Sequence, residues 1–138
     1  DILFDPIVDD PAFKLCNDES QAIQYFNNGQ SMEYNGDKPA IDSIFRVSYT
    51  PIPAASETGL VRIRFLVNCK GETGRFRVMG MDENYQAKVF DERITGQLLQ
   101  ISKSLRGWRP KQWKNWEADY YQYLIFKIKA GAVTQILP

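Results

Sequence analysis

Histidine is missing from the chain altogether, and only two of its 138 residues are cysteines. The first absence removes the commonest general base, the usual activating partner of a nucleophilic cysteine and the commonest zinc ligand. Cys16 and Cys69 lie too far apart in sequence to make a metal site by themselves. An excess of one charge is missing too: 17 lysines and arginines balance 17 aspartates and glutamates. A neutral molecule has no general attraction for nucleic acid, although a local patch can still be basic. No apolar run approaches the ~20 residues that span a bilayer. Of the acidic pairs, Asp82-Glu83 falls in a loop and Asp91-Glu92 opens a helix, where the dipole favours carboxylates. Gly71 and Gly74 are too closely spaced and misplaced for a phosphate loop and read as turn glycines. The reading is of a protein that is not an enzyme and calls for no cofactor or metal.

What is present is the material of a packed core. The chain is 43% hydrophobic and 13% aromatic, at a length suited to one domain. It opens on Asp1 and not on methionine, so it is expected to be a mature or trimmed product whose signal peptide or lipid anchor has been removed. A Cys16–Cys69 disulfide is expected, with two buried free thiols as the alternative. Such a bridge stabilises by ~4 kcal/mol in the chain-entropy model and implies an oxidising compartment.

The stretch from Gly59 to Ile128 organises the rest. Leu60 to Cys69 alternates, with Val61, Ile63, Phe65 and Val67 on one face and Arg62 and Arg64 on the other, the period of a half-buried strand. Gly71 and Gly74 tolerate positive φ and predict a turn. Arg75 to Met79 alternates again, placing Phe76 and Val78 on the apolar face and Arg75 and Arg77 away from it. Asp91 caps a helix in which Phe90, Ile94, Leu98, Ile101 and Leu105 form one stripe. Gly107 and Pro110 stop it, and Trp108 is placed to wedge helix against sheet. Tyr120 to Lys129 is a third strand, with Leu124, Phe126 and Ile128 inward and Tyr121, Tyr123, Lys127 and Lys129 outward. Ala130-Gly131 turns the chain toward a last strand, Ala132 to Leu137.

The flanks are less regular. Residues 1–18 are acidic, carry Pro6 and Pro11, and read as an extended arm tied down at Cys16. Around Asn28-Gly29 a short hairpin is expected, with a short helix from Gln21 to Phe26 as the competitor. Asp37 is expected to cap a first helix, with Pro39 in its first turn and Ile41, Ile44, Phe45 and Tyr49 at helical spacing. Segments 82–89 and 111–119 read as loops. Trp113 and Trp116 in the second either cap the core or stack on a ring or sugar. Residues 1–36 thus form an arm and hairpin packed on a domain that spans 37–138.

One face of the predicted sheet is basic and aromatic. Arg62, Arg64, Arg75, Arg77, Lys127 and Lys129 share it with Tyr121 and Tyr123. Such a face suits a polyanion, a glycan or an anionic membrane, and it suits the protein's own acidic arm equally well.

The order of these segments resembles the TonB C-terminal domain. Gly59-Leu-Val-Arg-Ile-Arg-Phe-Leu-Val-Asn with Gly71, Phe90-Asp91 opening a helix, Trp108-Arg-Pro110 closing it and Tyr123-Leu-Ile-Phe-Lys-Ile128 carry the likeness. It covers Gly59 to Ile128, about half the chain, with the helix from Pro39 as counterpart of the family's first helix. The resemblance implies an α+β fold with two helices on one face of a three-stranded antiparallel sheet, four-stranded if Ala132 to Leu137 joins. It implies a periplasmic module of a Gram-negative bacterium that binds a peptide segment of an outer-membrane transporter by strand addition. The implied partner-binding residues are Tyr121, Tyr123, Ile125 and Lys127. These residues hold no membrane helix or proline-rich spacer, and a strand folding back from Gly131 would take the same edge. A ligand-binding module using the basic face is the alternative. A purely structural envelope lipoprotein is a third reading.

Overall fold

The computed structural model describes residues 1–24, 32–113 and 115–138, with only the backbone of Trp113 described. The hairpin and helix weighed around Asn28-Gly29 fall largely outside these residues. Just before them, a short 3-10 turn occupies Glu19–Gln21. The expected α+β architecture is present. Helices α1 (Asp37–Ser48) and α2 (Glu92–Ser104) cover one face of a four-stranded antiparallel sheet. Its strands are β1 (Gly59–Val67), β2 (Thr73–Met81), β5 (Tyr120–Lys129) and β6 (Ala132–Leu137), in the order β2-β1-β5-β6. A separate two-stranded ribbon joins β3 (Lys111–Trp113) to β4 (Trp116–Ala118). That ribbon replaces the loop expected at 111–119; its three-residue strands are too short for alternation to reveal them.

The core forms where the sheet's apolar face meets the helical stripes. Ile63 and Phe65 of β1, Leu124 and Phe126 of β5, and Ile94 and Leu98 of α2 are all fully buried. Side chains of this size contribute ~1.5–3 kcal/mol each when removed from water. Trp108 wedges in as expected, edge-on to Tyr34 and Phe65 with ring centroids 4.9 and 5.4 Å away. Phe76 stacks on Phe65 at 4.8 Å, whereas Val78 lies at the sheet margin and remains 40% exposed.

Local chemistry sets the helix ends. The Asp91 side chain accepts the Arg93 N–H at 2.8 Å, capping α2 as its position predicts. The N-cap of α1 is Gly36, at φ 85°, one residue earlier than expected. Asp37 still serves the helix start by accepting the Lys38 N–H at 2.7 Å, and it also accepts the Met32 N–H at 3.0 Å.

The β1–β2 connection corrects one detail. Gly71 takes positive φ, as expected, but Gly74 does not; a Cβ there would overlap the Phe13 ring. The left-handed residue beside it is Arg75, at φ 57°, where the β1–β2 register shifts. A second shift lies in the β5–β6 ladder. Lys127 pairs with Gln135 and Ile128 with Val133, so Thr134 is the extra residue of a bulge. Val133 and Ile136 therefore both pack toward the core.

Candidate functional site

Register places the expected basic residues together. Arg64 lies opposite Arg77 on β2 and Tyr123 on β5, while Arg62 lies opposite Met79 and Ile125. Arg75 joins this outer face, which looks away from the helices. Lys127 and Lys129 extend it as exposed side chains at the far end of β5.

Half of that face is already occupied by the N-terminal arm. Residues 1–24 hold six carboxylates against one lysine. Asp9 meets Arg77 through two hydrogen bonds of 2.8 Å, and Glu19 meets Arg75 at 2.8 Å. Arg77 also donates to the Leu3 carbonyl at 3.0 Å and Arg75 to the Ile2 carbonyl at 3.1 Å. Between these pairs Ile2 fills an apolar slot with Leu66 and Tyr121, and its N–H donates to the Tyr121 hydroxyl at 3.1 Å. The hydrogen bonds from Arg77 outweigh burial and hold the Asp9 carboxyl below its usual range. The Arg77 guanidinium is raised by the same contact.

Buried polar residues anchor the arm further along. Asp119, fully buried at the head of β5, accepts the Cys16 N–H at 3.0 Å and the Asn17 N–H at 2.9 Å. Asn68 donates to the Lys14 carbonyl at 2.9 Å and accepts the Lys70 and Glu72 N–H groups at 3.0 Å each. The Cys16–Cys69 disulfide closes the attachment. Both cysteines are bridged, which places the chain in an oxidising, non-cytoplasmic compartment. No helix among the described residues is long and apolar enough to cross a membrane.

The free edge expected on the third strand is absent from it. β5 is an interior strand: β1 pairs along one side of it and β6 covers Ile125 to Lys129 on the other. Ahead of β6, Ile23 bridges to Tyr120 and accepts the Tyr121 N–H at 2.8 Å. The Tyr123 carbonyl accepts the Gln122 side-chain amide at 3.0 Å. Tyr121 is buried beneath the arm, Tyr123 and Ile125 are half-buried, and Lys127 is exposed. An added strand cannot reach the main chain at Tyr121, Ile125 or Lys127, because a strand or segment of this chain already sits there.

The outermost strand on that side is β6, and a groove of about 600 Å³ runs between it and α1. Phe45, Tyr49 and Ile136 line its apolar part, with Arg46 and the Lys38–Asp42 ion pair on the helical wall. Burial pushes the Tyr49 phenol up, and the Glu57 charge adds to the shift. The Tyr49 hydroxyl stays protonated and donates to the Gly131 carbonyl at 2.7 Å. At the opposite margin β2 has no strand beyond it among the described residues, but the loop after it returns there. Lys88 donates its N–H to the Gly80 carbonyl at 3.0 Å, and Met81 bridges to Ala87.

Set against protein-family models, the curated proteins and the solved structures, the chain matches none of them.

Proposed function

We propose that this protein is a non-enzymatic interaction module of the cell envelope, similar in kind to the TonB C-terminal domain, that binds a partner by taking up an extended segment as an added strand. The observation that carries the reading is the β6 margin. Its outward main-chain groups have no ladder partner among the described residues, and the groove beside them offers apolar ring surface for alternate side chains of a guest strand. The oxidising compartment implied by the disulfide fits a periplasmic or outer-membrane-associated location, and a segment of an outer-membrane transporter is a partner of the right form. A polyanion or glycan spread over the whole outer face is the weaker reading, because Arg75 and Arg77 already hold carboxylates of the arm.

Selection of displayed peptides followed by amide NMR tests the proposal. Bound peptides should shift amides of Ala132 to Leu137 and of α1, and should slow exchange along β6. Asp42→Trp, which fills the groove from the helical wall, should weaken binding about tenfold or more. Peptides that bind while leaving the β6 amides unmoved would refute strand addition there, as would failure to select any peptide above an unfolded control.

A further inference from the structure

Beside the arm, the outer face keeps an open cleft of about 360 Å³, lined by Arg62, Arg64 and Arg77 with Leu3, Val78 and Met79. The three guanidinium groups are brought together by register, since Arg64 faces Arg77 across the ladder and Arg62 is two residues along the same strand. Clustered like charges are unfavourable unless each is compensated. Arg77 is compensated by Asp9. Arg64 lies 4.5 Å from the centroid of the Tyr121 ring and donates to Gln24 Oε1 at 3.3 Å. Arg62, half-buried, has neither ion pair nor side-chain hydrogen bond among the described residues. Asp1 also lines the cleft, and its carboxylate accepts from the Gln24 side-chain amide at 3.1 Å.

The occupied half of the face shows what this surface binds. There each arginine takes a main-chain carbonyl together with a carboxylate, and an isoleucine sits in the apolar slot between them. Arg62 has surroundings of the same kind, with Met79 and Ile125 as its cross-strand neighbours and Leu60 on the same face. Those apolar neighbours gain nothing from a hydrated polysaccharide or phosphate backbone but suit an aliphatic side chain. We propose that Arg62 anchors a carboxylate of an acidic, aliphatic segment of a partner protein, laid over the cleft at Arg62 as the arm is laid over Arg75 and Arg77. The site is separate from the β6 groove, which lies between β6 and α1 and shares no lining residue with it.

The test is fluorescence anisotropy with a labelled synthetic peptide alternating aspartate with leucine, titrated with the intact, oxidised protein. Arg62→Ala should weaken binding about tenfold, the size expected for loss of a charge-assisted pair, and Arg62→Lys should restore only part of it. Arg106→Ala, on the helical side, should bind as the parent does. Met79→Glu places a carboxylate opposite Arg62 and should block the peptide, which keeps the proposal testable if Arg62→Ala fails to fold. The same peptide with asparagine for aspartate should bind about tenfold more weakly. The Asp42→Trp variant should retain full binding, so failure of one site is distinguishable from failure of the other. Unchanged affinity in Arg62→Ala overturns the proposal, and so does retention of heparin, but not of the peptide, through Arg62.

Discussion

Replacing Cys16 and Cys69 together with serine isolates what the bridge contributes. The folded arm does not depend on the sulfur link alone, because Asp119 holds the Cys16 and Asn17 amides, Asn68 holds the Lys14 carbonyl and Asp9 holds Arg77. The loss should therefore fall on the unfolded chain, which regains the freedom of a loop with a sequence separation of 53. In the chain-entropy account that freedom is worth about 4 kcal/mol. For 138 residues the unfolding entropy is about 0.29 kcal/mol per kelvin, so Tm should fall by about 14 °C. Calorimetry on the parent, the double variant and the parent in reductant measures this, with the last two expected to coincide. Agreement of calorimetric and van't Hoff enthalpies checks that a single transition is being compared. A fall of less than about 3 °C, with the Ile2 and Asp5 amides still slow to exchange, would refute the reasoning.

Three further outcomes follow from named contacts. Asp9 has its pKa depressed in the folded state, so the stability it contributes is complete above the ordinary carboxylate range and is lost as pH falls through the lowered value. The protection of the arm's amides, taken as intrinsic over observed exchange rate at each pH, should therefore be constant above about pH 5 and fall below about pH 4, and Asp9→Asn should be less protected at neutral pH and lose that acid dependence. Gly131→Ala should cost about 2–4 kcal/mol in denaturant melts, because the position has φ 83° and a Cβ would overlap the Ile52 carbonyl. Gly96→Ala, in an exposed stretch of α2 with nothing near the added Cβ, should stabilise by about 0.5–1 kcal/mol in the same assay.

Much of the fold was legible because it rests on short-range periodicity. The alternation from Leu60 to Val67 and from Tyr120 to Lys129, and the stripe Phe90, Ile94, Leu98 and Leu105, report burial directly. The polar framework was not legible. Asn68, Ser102, Asp119 and Gln122 are buried, and no period marks a polar residue as internal. The bulge at Thr134 breaks alternation in the strand that forms the sheet margin, so a short run with a skipped beat had to be recognised from the turn at Ala130-Gly131 alone. For the outer face, charge balance pointed to internal pairing as one option. Which arginines pair depends on contacts between residues 68 apart, as for Asp9 and Arg77, and local pattern carries no information at that distance.

The clamp at the β5–β6 turn has a consequence for recognition. The Gly131 carbonyl accepts from the Tyr49 hydroxyl and from the Ile52 N–H at 3.2 Å, Gly131 donates to the Glu57 carbonyl at 2.9 Å, and Ala130 donates to Thr58 at 3.0 Å. The exit of α1 and the root of β6 are thus held to one another, which fixes the width of the channel at that end. Under the strand addition proposed for this groove, a guest of excessive girth should be turned away by steric mismatch and not by weaker attraction, and a slender one should enter without rearrangement of its host.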